Sequence, residues 1–245
     1  WGGSKSRVIA LIRAKRPGVV FLQDLRLPPW CEQGLRAGLT KLLPGYTLFF
    51  STSESTRVWD PERERHRRYF FTVATLVHED LKPKLEGTPL TELGLGAAAV
   101  RSTRGRMLAV TTRTANGEQV WLNLYQHVYQ ANTPGHQERM LGFLSTVTQA
   151  ARARGAMVFV GGDLNASLVQ REGYLGSFKE ADDRLEAWVR EARMHVPAIV
   201  PRYTWQHPRH LKRAQLDHWF VSEPVPGGVR VYAVDTRVAG HDLVQ

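Results

Sequence analysis

The sequence predicts a single mixed α/β domain, and three features of the chain support this prediction. The chain has 245 residues, of which 42% are apolar and 23% charged, a composition typical of a folded globular protein. Segments with helical periodicity alternate with short runs of apolar, β-branched and aromatic residues. Neither an internal repeat nor a shift in composition divides the chain. We therefore expect one domain that covers residues 1–245.

The individual elements are predicted from local patterns. Ser4 is expected to cap a first helix that Pro17 and Gly18 end, and Thr133 with Pro134 is expected to begin a helix that extends to Arg154. Another helix is predicted over residues 182–194. Strands are predicted at residues 19–22, 46–50, 69–77, 107–112, 119–125, 157–160, 216–222 and 229–234. The charge run at residues 60–68 predicts a solvated loop.

The charge balance indicates a polyanionic partner. Lys and Arg number 33 against 23 Asp and Glu, which gives a formal net charge of +10 and a pI near 10.1. Nucleic acid is the first candidate, and a basic surface that is merely solvated is the alternative. The single cysteine, Cys31, excludes an internal disulfide and a cysteine-based zinc site. No apolar run approaches the roughly 20 residues of a membrane span, so we expect an intracellular, nuclear protein with no membrane partner.

Several polar residues follow apolar runs, at the strand ends where open α/β sheets usually carry their functional groups. Each residue alone has a structural explanation: an aspartate can stabilise a turn, a tyrosine can belong to the core, and a histidine can simply be hydrogen-bonded. Together, carboxylates, an amide, a tyrosine and a histidine are what hydrolysis of a phosphodiester requires. The residues concerned are Gln23, Asp24, Asn123, Tyr125, Asp163, Asn165, Asp217 and His241.

The order and wording of four segments resemble the endonuclease/exonuclease/phosphatase superfamily, which includes abasic-site endonucleases and the endonuclease domains of LINE-type retrotransposons. The resemblance spans nearly the whole chain. It implies a four-layered α/β sandwich, in which two packed mixed sheets are flanked by helices. The segments, in chain order, are RPGVVFLQD, GGDLNAS, YTWQHPRHLKRAQLDHWFVS and AGHDLV.

The resemblance also implies roles for individual residues. Asp163 would position and deprotonate the attacking water, and Asn165 would orient the same group. Tyr125 would donate a hydrogen bond to the phosphate. His241, paired with Asp217, would polarise the scissile phosphoryl oxygen, because an aspartate fixes the tautomer of its histidine partner.

The metal side of the implied site departs from the family pattern. Asp24, the expected ligand of Mg²⁺ or Mn²⁺, stands where the family has Glu, and its carboxylate is set back by about 1.5 Å. Gly240 stands where the family has an aspartate before the terminal histidine, and Asp242 lies about 6.5 Å further along if that segment is a strand. The family's first strand, with its asparagine, has no counterpart before Asp24. We expect that strand to lie upstream of Trp1, in a longer chain.

Residues around the implied cleft suggest DNA as the substrate. The basic side chains of Arg209, Lys212 and Arg213 suit contacts to a phosphate backbone, and Tyr203 or Trp205 could stack on a base. For Trp205, a place in the core is the alternative. The segment GGDLNASLVQREGY at residues 161–174, which contains Arg171, resembles the corresponding part of retrotransposon endonucleases. The prediction is therefore a LINE-type endonuclease that nicks DNA, with a reverse-transcriptase domain in the same full-length chain.

Two other functions remain open at this stage. A catalytically silent relative could serve as a nucleic-acid-binding or structural subunit of a ribonucleoprotein, and the changes at Asp24 and Gly240 favour this alternative. A phosphodiesterase acting on inositol phosphates or sphingomyelin is the third candidate. The basic loop at residues 206–215 disfavours it, because a small substrate does not need an extended cationic surface.

Overall fold

The computed structural model describes residues 2–60, 65–128, 135–168, 179–197, 199–200, 204–206, 213–225, 228 and 231–232. Within them lie the α-helices α1 to α5, which are Gly2–Lys15, Glu32–Leu42, Ala97–Thr103, Gly135–Ala153 and Lys179–Glu191. The β-strands β1 to β13 are Val19–Leu22, Tyr46–Thr52, Thr56–Asp60, Arg65–Tyr69, Thr72–His78, Met107–Thr114, Gly117–Tyr125, Met157–Asp163, Ile199–Val200, Trp205–Gln206, Arg213–Ala214, Asp217–Val221 and Val231–Tyr232.

Two sheets form the centre of the fold. A three-stranded antiparallel sheet has the order β1-β5-β2, and a four-stranded mixed sheet has the order β12-β8-β7-β6. In the mixed sheet β7 and β8 are parallel, and the other two pairs are antiparallel. The helix α4 connects β7 to β8, as a parallel pair requires. Three short strand pairs, β3 with β4, β9 with β13 and β10 with β11, lie outside these sheets.

The side chains of the four-stranded sheet alternate between two apolar layers. Leu122 and Leu124 of β7 pack in the larger core with Leu144 of α4 and Leu185 of α5. The intervening Trp121 points to the opposite face, where it stacks on Phe159 with 4.0 Å between ring centroids. A strand with both faces apolar is buried on both sides. This alternation therefore identifies the mixed sheet as an inner layer.

The three-stranded sheet has the same two-sided burial. Its outer face packs on α1 and α2 through Ile12, Leu39 and Leu76. Across the inner faces of the two sheets, Phe21 of β1 stacks on Trp219 of β12 with 4.6 Å between ring centroids. The result is four layers: helices, sheet, sheet and helices. The expected α/β sandwich is thus confirmed.

Several local predictions differ from the structure. The first helix begins at Gly2 rather than after a cap at Ser4. The predicted strand at residues 69–77 falls on two strands, because Phe70 and Phe71 separate the end of β4 from the start of β5. Residues 65–68, expected in a solvated loop, belong to β4 and pair with β3. In the described part of the chain, no helix is both long and apolar enough to cross a membrane.

Truncation of the larger core tests this layer arrangement. Leu144 has no exposed surface, so Leu144→Ala removes buried methyl groups and leaves a cavity. We expect a loss of about 2–5 kcal/mol in the free energy of unfolding, measured by urea denaturation. Leu85, which is 77% exposed, is the matched control, and Leu85→Ala should change stability by less than about 0.5 kcal/mol. Equal effects of the two substitutions would contradict the proposed core.

Candidate active site

Three of the expected site residues lie together at one edge of the four-stranded sheet. Tyr125 ends β7, Asp163 ends β8 and Asp217 begins β12. Asp163 is the register partner of Tyr125 on one side and of Asp217 on the other. Adjacent strands lie about 4.8 Å apart, so the three backbones form one row. Tyr125 and Asp163 share the inner face of the sheet with Trp121 and Phe159, because each lies an even number of residues away.

Two glycines allow β8 to reach this edge through a crowded layer. A Cβ atom on Gly161 would lie 2.9 Å from the ring of Trp219. A Cβ atom on Gly162, which has a φ of 133°, would lie 2.0 Å from the backbone oxygen of Leu124. No side chain fits at either position without displacing its neighbours. The two glycines that precede Asp163 are therefore a packing requirement of the inner face.

The turn after β8 holds Asp163 and Asn165 in a fixed relation. Asp163 is 7% exposed, and its Oδ1 accepts a hydrogen bond from the backbone N–H of Asn165 at 3.0 Å. Asn165 has a φ of 47°, a left-handed conformation that asparagine adopts more readily than most residues. Its side-chain amide donates to the backbone oxygen of Gln126 at 2.8 Å. The sequence Asp-Leu-Asn thus supports a local turn as well as any chemistry.

The threonine of the YTW segment anchors the start of β12. The hydroxyl oxygen of Thr204, which is buried, accepts hydrogen bonds from the backbone N–H groups of Leu216 and Asp217 at 2.9 and 3.0 Å. This contact joins two parts of the long segment quoted above. It also holds the start of β12, where Asp217 pairs with Asp163.

Asp24 lies in a loop after β1 and is held by two side chains. Its Oδ1 accepts a hydrogen bond from the hydroxyl of Tyr69 at 2.6 Å. Its Oδ2 accepts two hydrogen bonds from Arg26, at 3.1 Å from Nε and 2.8 Å from Nη2. Burial and then the hydrogen bond to Asp24 raise the pKa of the Tyr69 hydroxyl. Tyr69 therefore remains protonated and continues to donate.

A half-buried arginine that the sequence reasoning missed, Arg106, joins the two sides of the site. The guanidinium carbon of Arg106 lies 4.0 Å from the ring centroid of Phe71 and 5.1 Å from that of Tyr125. Burial lowers the pKa of Arg106, while interactions with Tyr125, Asp24, Tyr69 and Asp163 raise it. Arg106 thus interacts electrostatically with the carboxylates of both Asp24 and Asp163.

The position of Arg106 follows from the glycine before it. Gly105 has a φ of 72°, and a Cβ atom there would lie 2.1 Å from the backbone oxygen of Phe71. The pair Gly105-Arg106 directly before β6 is the sequence signal that could have identified this residue. A glycine at a close backbone approach fixes the direction of the residue after it.

Of the remaining expected residues, the structure describes the backbones of two, Trp205 and Arg213. Trp205 lies in β10 and Arg213 in β11, and these strands pair with each other; the side chains of both residues lie outside the described part. The other expected residues lie wholly outside the described residues, and they are Arg171, Tyr203, Arg209, Lys212, Gly240, His241 and Asp242.

The donors at this edge match a hard divalent cation in kind. Carboxylate oxygens are the preferred ligands of Mg²⁺, which commonly binds one or two carboxylates and keeps several waters. Asp24, Asp163 and Asp217 supply such oxygens. Among the described residues, no three Asp, Glu, His or Cys side chains lie close enough together to hold a metal ion. The chemistry of these donors therefore suits a largely hydrated cation, for which the described residues would supply few direct ligands.

Comparison with known proteins identifies the family to which this chain belongs. The model of the endonuclease/exonuclease/phosphatase family matches residues 1–234 of the sequence. The chain belongs to this family. Members of the family are generally nucleases or phosphatases, that is, hydrolases. A search of curated proteins found no match.

Three solved structures illustrate the fold that this chain shares with known proteins. The endonuclease domain of TRAS1, a telomere-specific non-LTR retrotransposon, is 16% identical, with 90% of this chain and 80% of that chain covered and a TM-score of 0.55. The AP endonuclease LMAP from Leishmania major is 17% identical, with 89% and 73% covered and a TM-score of 0.62. The Xenopus laevis APE2 catalytic domain is 14% identical, with 98% and 85% covered and a TM-score of 0.60.

Gly162 provides a test of the crowded inner face. Gly162→Ala should lower the free energy of unfolding by at least about 1–3 kcal/mol, because the added methyl group meets the backbone of Leu124. Gly117 is the matched control, since its φ is 102° but nothing lies within 4 Å of an added Cβ atom. Gly117→Ala should cost only the backbone strain, about 1 kcal/mol. Urea denaturation of both variants separates the two effects, and a smaller loss at Gly162 than at Gly117 would contradict the packing.

His218, beside Asp217, makes stability depend on pH. Burial lowers its pKa from 6.5 to about 4, and Nε2 lies 2.8 Å from the backbone oxygen of Ala166. The unfolded chain thus binds this proton more readily, so the stability contributed is present above pH 6.5 and is lost as the pH falls towards 4. Between pH 7 and 5 the wild type should lose about 2 kcal/mol more than His218→Gln. Urea denaturation at both pH values measures this difference, and identical pH dependence in the two proteins would contradict it.

Proposed function

We propose that this chain is a DNA-nicking endonuclease of the LINE-type retrotransposon kind and that it requires Mg²⁺ or Mn²⁺. The observation that carries the proposal is the alignment of Tyr125, Asp163 and Asp217 at one sheet edge. Arg106 interacts electrostatically with both Asp163 and Asp24. Membership of a family of nucleases and phosphatases supports hydrolysis of a phosphate ester. The remaining question is which substrate.

Three observations support DNA as that substrate. The net charge of +10 favours a polyanion. In the sequence, Arg209, Lys212 and Arg213 stand in the segment at residues 206–215, shortly before β12, which begins with Asp217. The similar solved structures include a retrotransposon endonuclease domain and an AP endonuclease. By this proposal Tyr203, Trp205 and Arg171 also contact the DNA.

The chemistry assigns a separate task to each side chain. Asp163 holds and deprotonates the attacking water, and its fixed turn with Asn165 keeps that carboxylate in one orientation. Tyr125 donates a hydrogen bond to the phosphate. His241, oriented by Asp217, donates to the scissile phosphoryl oxygen. Asp24 would hold the divalent cation, which when bound would supply Lewis-acid stabilisation of the negative charge on phosphate.

Arg106 adds a further source of positive charge to this scheme. Its guanidinium is anchored, because Nη1 donates to the backbone oxygens of Tyr125 and Gln126 at 3.2 and 3.4 Å. A cation held in place before the reaction stabilises a developing anion without reorganisation. We assign Arg106 the role of offsetting the negative charge of the bound phosphate.

The biological setting that fits this activity is insertion of a retrotransposon. A nick in target DNA provides the primer for reverse transcription, so the proposal includes a reverse-transcriptase domain in the same full-length chain and action in the nucleus. Each of these points depends on the DNA-nicking activity.

One observation favours a catalytically silent relative instead. Both carboxylate oxygens of Asp24 are engaged by side chains of the protein, Tyr69 and Arg26. A silent domain would bind nucleic acid as a subunit of a ribonucleoprotein without cutting it. Its binding would weaken with salt, because release of counterions drives phosphate contacts.

Nicking of supercoiled plasmid DNA in Mg²⁺ or Mn²⁺ separates these two functions. The wild type should convert supercoiled to open-circular DNA, and a chelator should abolish the conversion. Asp163→Asn and His241→Ala should each lower the rate by roughly 10²- to 10⁴-fold, because each removes a proton-transfer or charge-stabilising group. Gel electrophoresis over time measures the rates.

Asp80 provides the matched control for these variants. Its side chain is 81% exposed and lies on a turn after β5, so Asp80→Asn removes the same charge away from the site. This variant should nick at the wild-type rate. Salt-sensitive DNA binding with no nicking in either metal would contradict the endonuclease and support the silent subunit.

A further inference from the structure

The carboxylate of Asp24 already has a cation bound to it, and that cation belongs to the protein. We propose that Arg26 competes with the divalent metal ion for Asp24 and thereby sets the metal affinity of the site. This inference rests on the proposed function only in taking Asp24 as a metal ligand. It adds Arg26 as a residue that determines how tightly the site binds the metal ion.

The contact geometry supports a competition for the same oxygen. Two N–H groups of Arg26 converge on Oδ2 of Asp24, at 3.1 and 2.8 Å. Tyr69 uses Oδ1 at 2.6 Å. Charge-assisted pairs of this kind are stronger than neutral hydrogen bonds. A metal ion that approaches Oδ2 must therefore displace the guanidinium.

The backbone prevents Asp24 from turning away from Arg26. Asp24 and Arg26 both have positive φ values, 49° and 54°, a conformation that costs free energy for residues other than glycine. Leu25 between them is buried in the core, and its backbone N–H donates to the oxygen of Thr72 at 3.1 Å. The packing of Leu25 and its backbone hydrogen bond thus hold the loop in place, and the side chains of Asp24 and Arg26 stay close together.

The partner that can leave is Arg26 rather than Asp24. The side chain of Arg26 is 60% exposed, whereas that of Asp24 is 7% exposed. A released guanidinium would return to solvent at little cost, and a long side chain has many conformations there. The other nearby arginine, Arg106, is anchored by the backbone oxygens of Tyr125 and Gln126 and does not contact Asp24 through a hydrogen bond in the described contacts.

Electrostatics explains why exchange is required. Arg26 and Arg106 already place two positive charges around Asp24, as the interactions that shift their pKa values indicate. A divalent ion would raise this to four positive charges near one buried carboxylate. Departure of Arg26 lowers that repulsion. Metal binding and the Arg26–Asp24 pair are therefore mutually exclusive in this arrangement.

Binding of Mn²⁺ to the DNA-free protein tests the inference without relying on activity. Electron paramagnetic resonance of free Mn²⁺ gives the affinity directly. Arg26→Gln should raise the affinity for Mn²⁺ about fivefold, the size expected when a partly exposed ion pair no longer competes. Arg26→Lys, which keeps the charge but cannot present two N–H groups in a fork, should give a smaller rise.

Two further variants identify where the gained affinity arises. Arg154 is the matched control, because it is an exposed arginine paired with Glu118 at 3.3 Å, and Arg154→Gln removes the same charge elsewhere. Arg154→Gln should leave the Mn²⁺ affinity unchanged. In the double variant Asp24→Asn with Arg26→Gln, the fivefold gain should disappear, because the freed carboxylate is gone. Asparagine tolerates the left-handed backbone at this position.

The outcomes distinguish this inference from the proposed function. Equal Mn²⁺ affinity in the wild type and Arg26→Gln would overturn the competition, and a gain that persists without the Asp24 carboxylate would do the same. Failure of every variant to bind Mn²⁺ would also overturn it. Plasmid nicking is measured separately, so a nuclease with no Arg26 effect and a silent protein with an Arg26 effect give different results.

Discussion

The side-chain amide of Asn123 is the contact on which the arrangement of the two sheets depends. Asn123 lies in β7 of the four-stranded sheet and is fully buried. Its Nδ2 donates to the backbone oxygen of Ala74 in β5 at 2.8 Å, and its Oδ1 accepts from Nε2 of Gln23 at 2.7 Å. A buried amide without partners costs about 1–3 kcal/mol, whereas apolar contacts between sheets have little directional preference. Asn123 therefore selects one alignment of the sheets among the many that an apolar interface would permit.

That alignment determines which loops meet at the candidate site. Gln23 directly precedes Asp24, and Asn123 lies two residues before Tyr125, so one hydrogen bond between Gln23 and Asn123 fixes the distance between the two sides. Gly162 lies beside this bridge, since a Cβ atom added there would lie 3.1 Å from Nε2 of Gln23. The residues of the candidate site are thus held by packing and hydrogen bonds between the two sheets. Such support is what a site needs if its carboxylates are to keep one orientation.

Much of the fold could be predicted from the sequence, but the contacts across the site could not. β7, β8 and α4 have strong periodic patterns, and the helix beginning near Pro134 was predicted close to the observed Gly135. The strand β4 was missed because its sequence, RHRRY, is as polar as a loop, and only pairing with β3 explains it. The hydrogen bond from Tyr69 to Asp24 and the stacking of Arg106 on Phe71 join residues that are distant in sequence. No spacing along the chain specifies them.

The shortened acid at position 24 has a structural explanation that the sequence alone did not give. Asp24 adopts a left-handed backbone conformation, which aspartate occupies more readily than glutamate because its short side chain can form local hydrogen bonds. The same short side chain lies within reach of Arg26 two residues away. The change from the family's glutamate, the left-handed loop and the internal ion pair are therefore one linked feature. The proposed role of Asp24 as a metal ligand therefore has to be considered together with Arg26, because the loop that carries Asp24 also supplies the cation bound to its carboxylate.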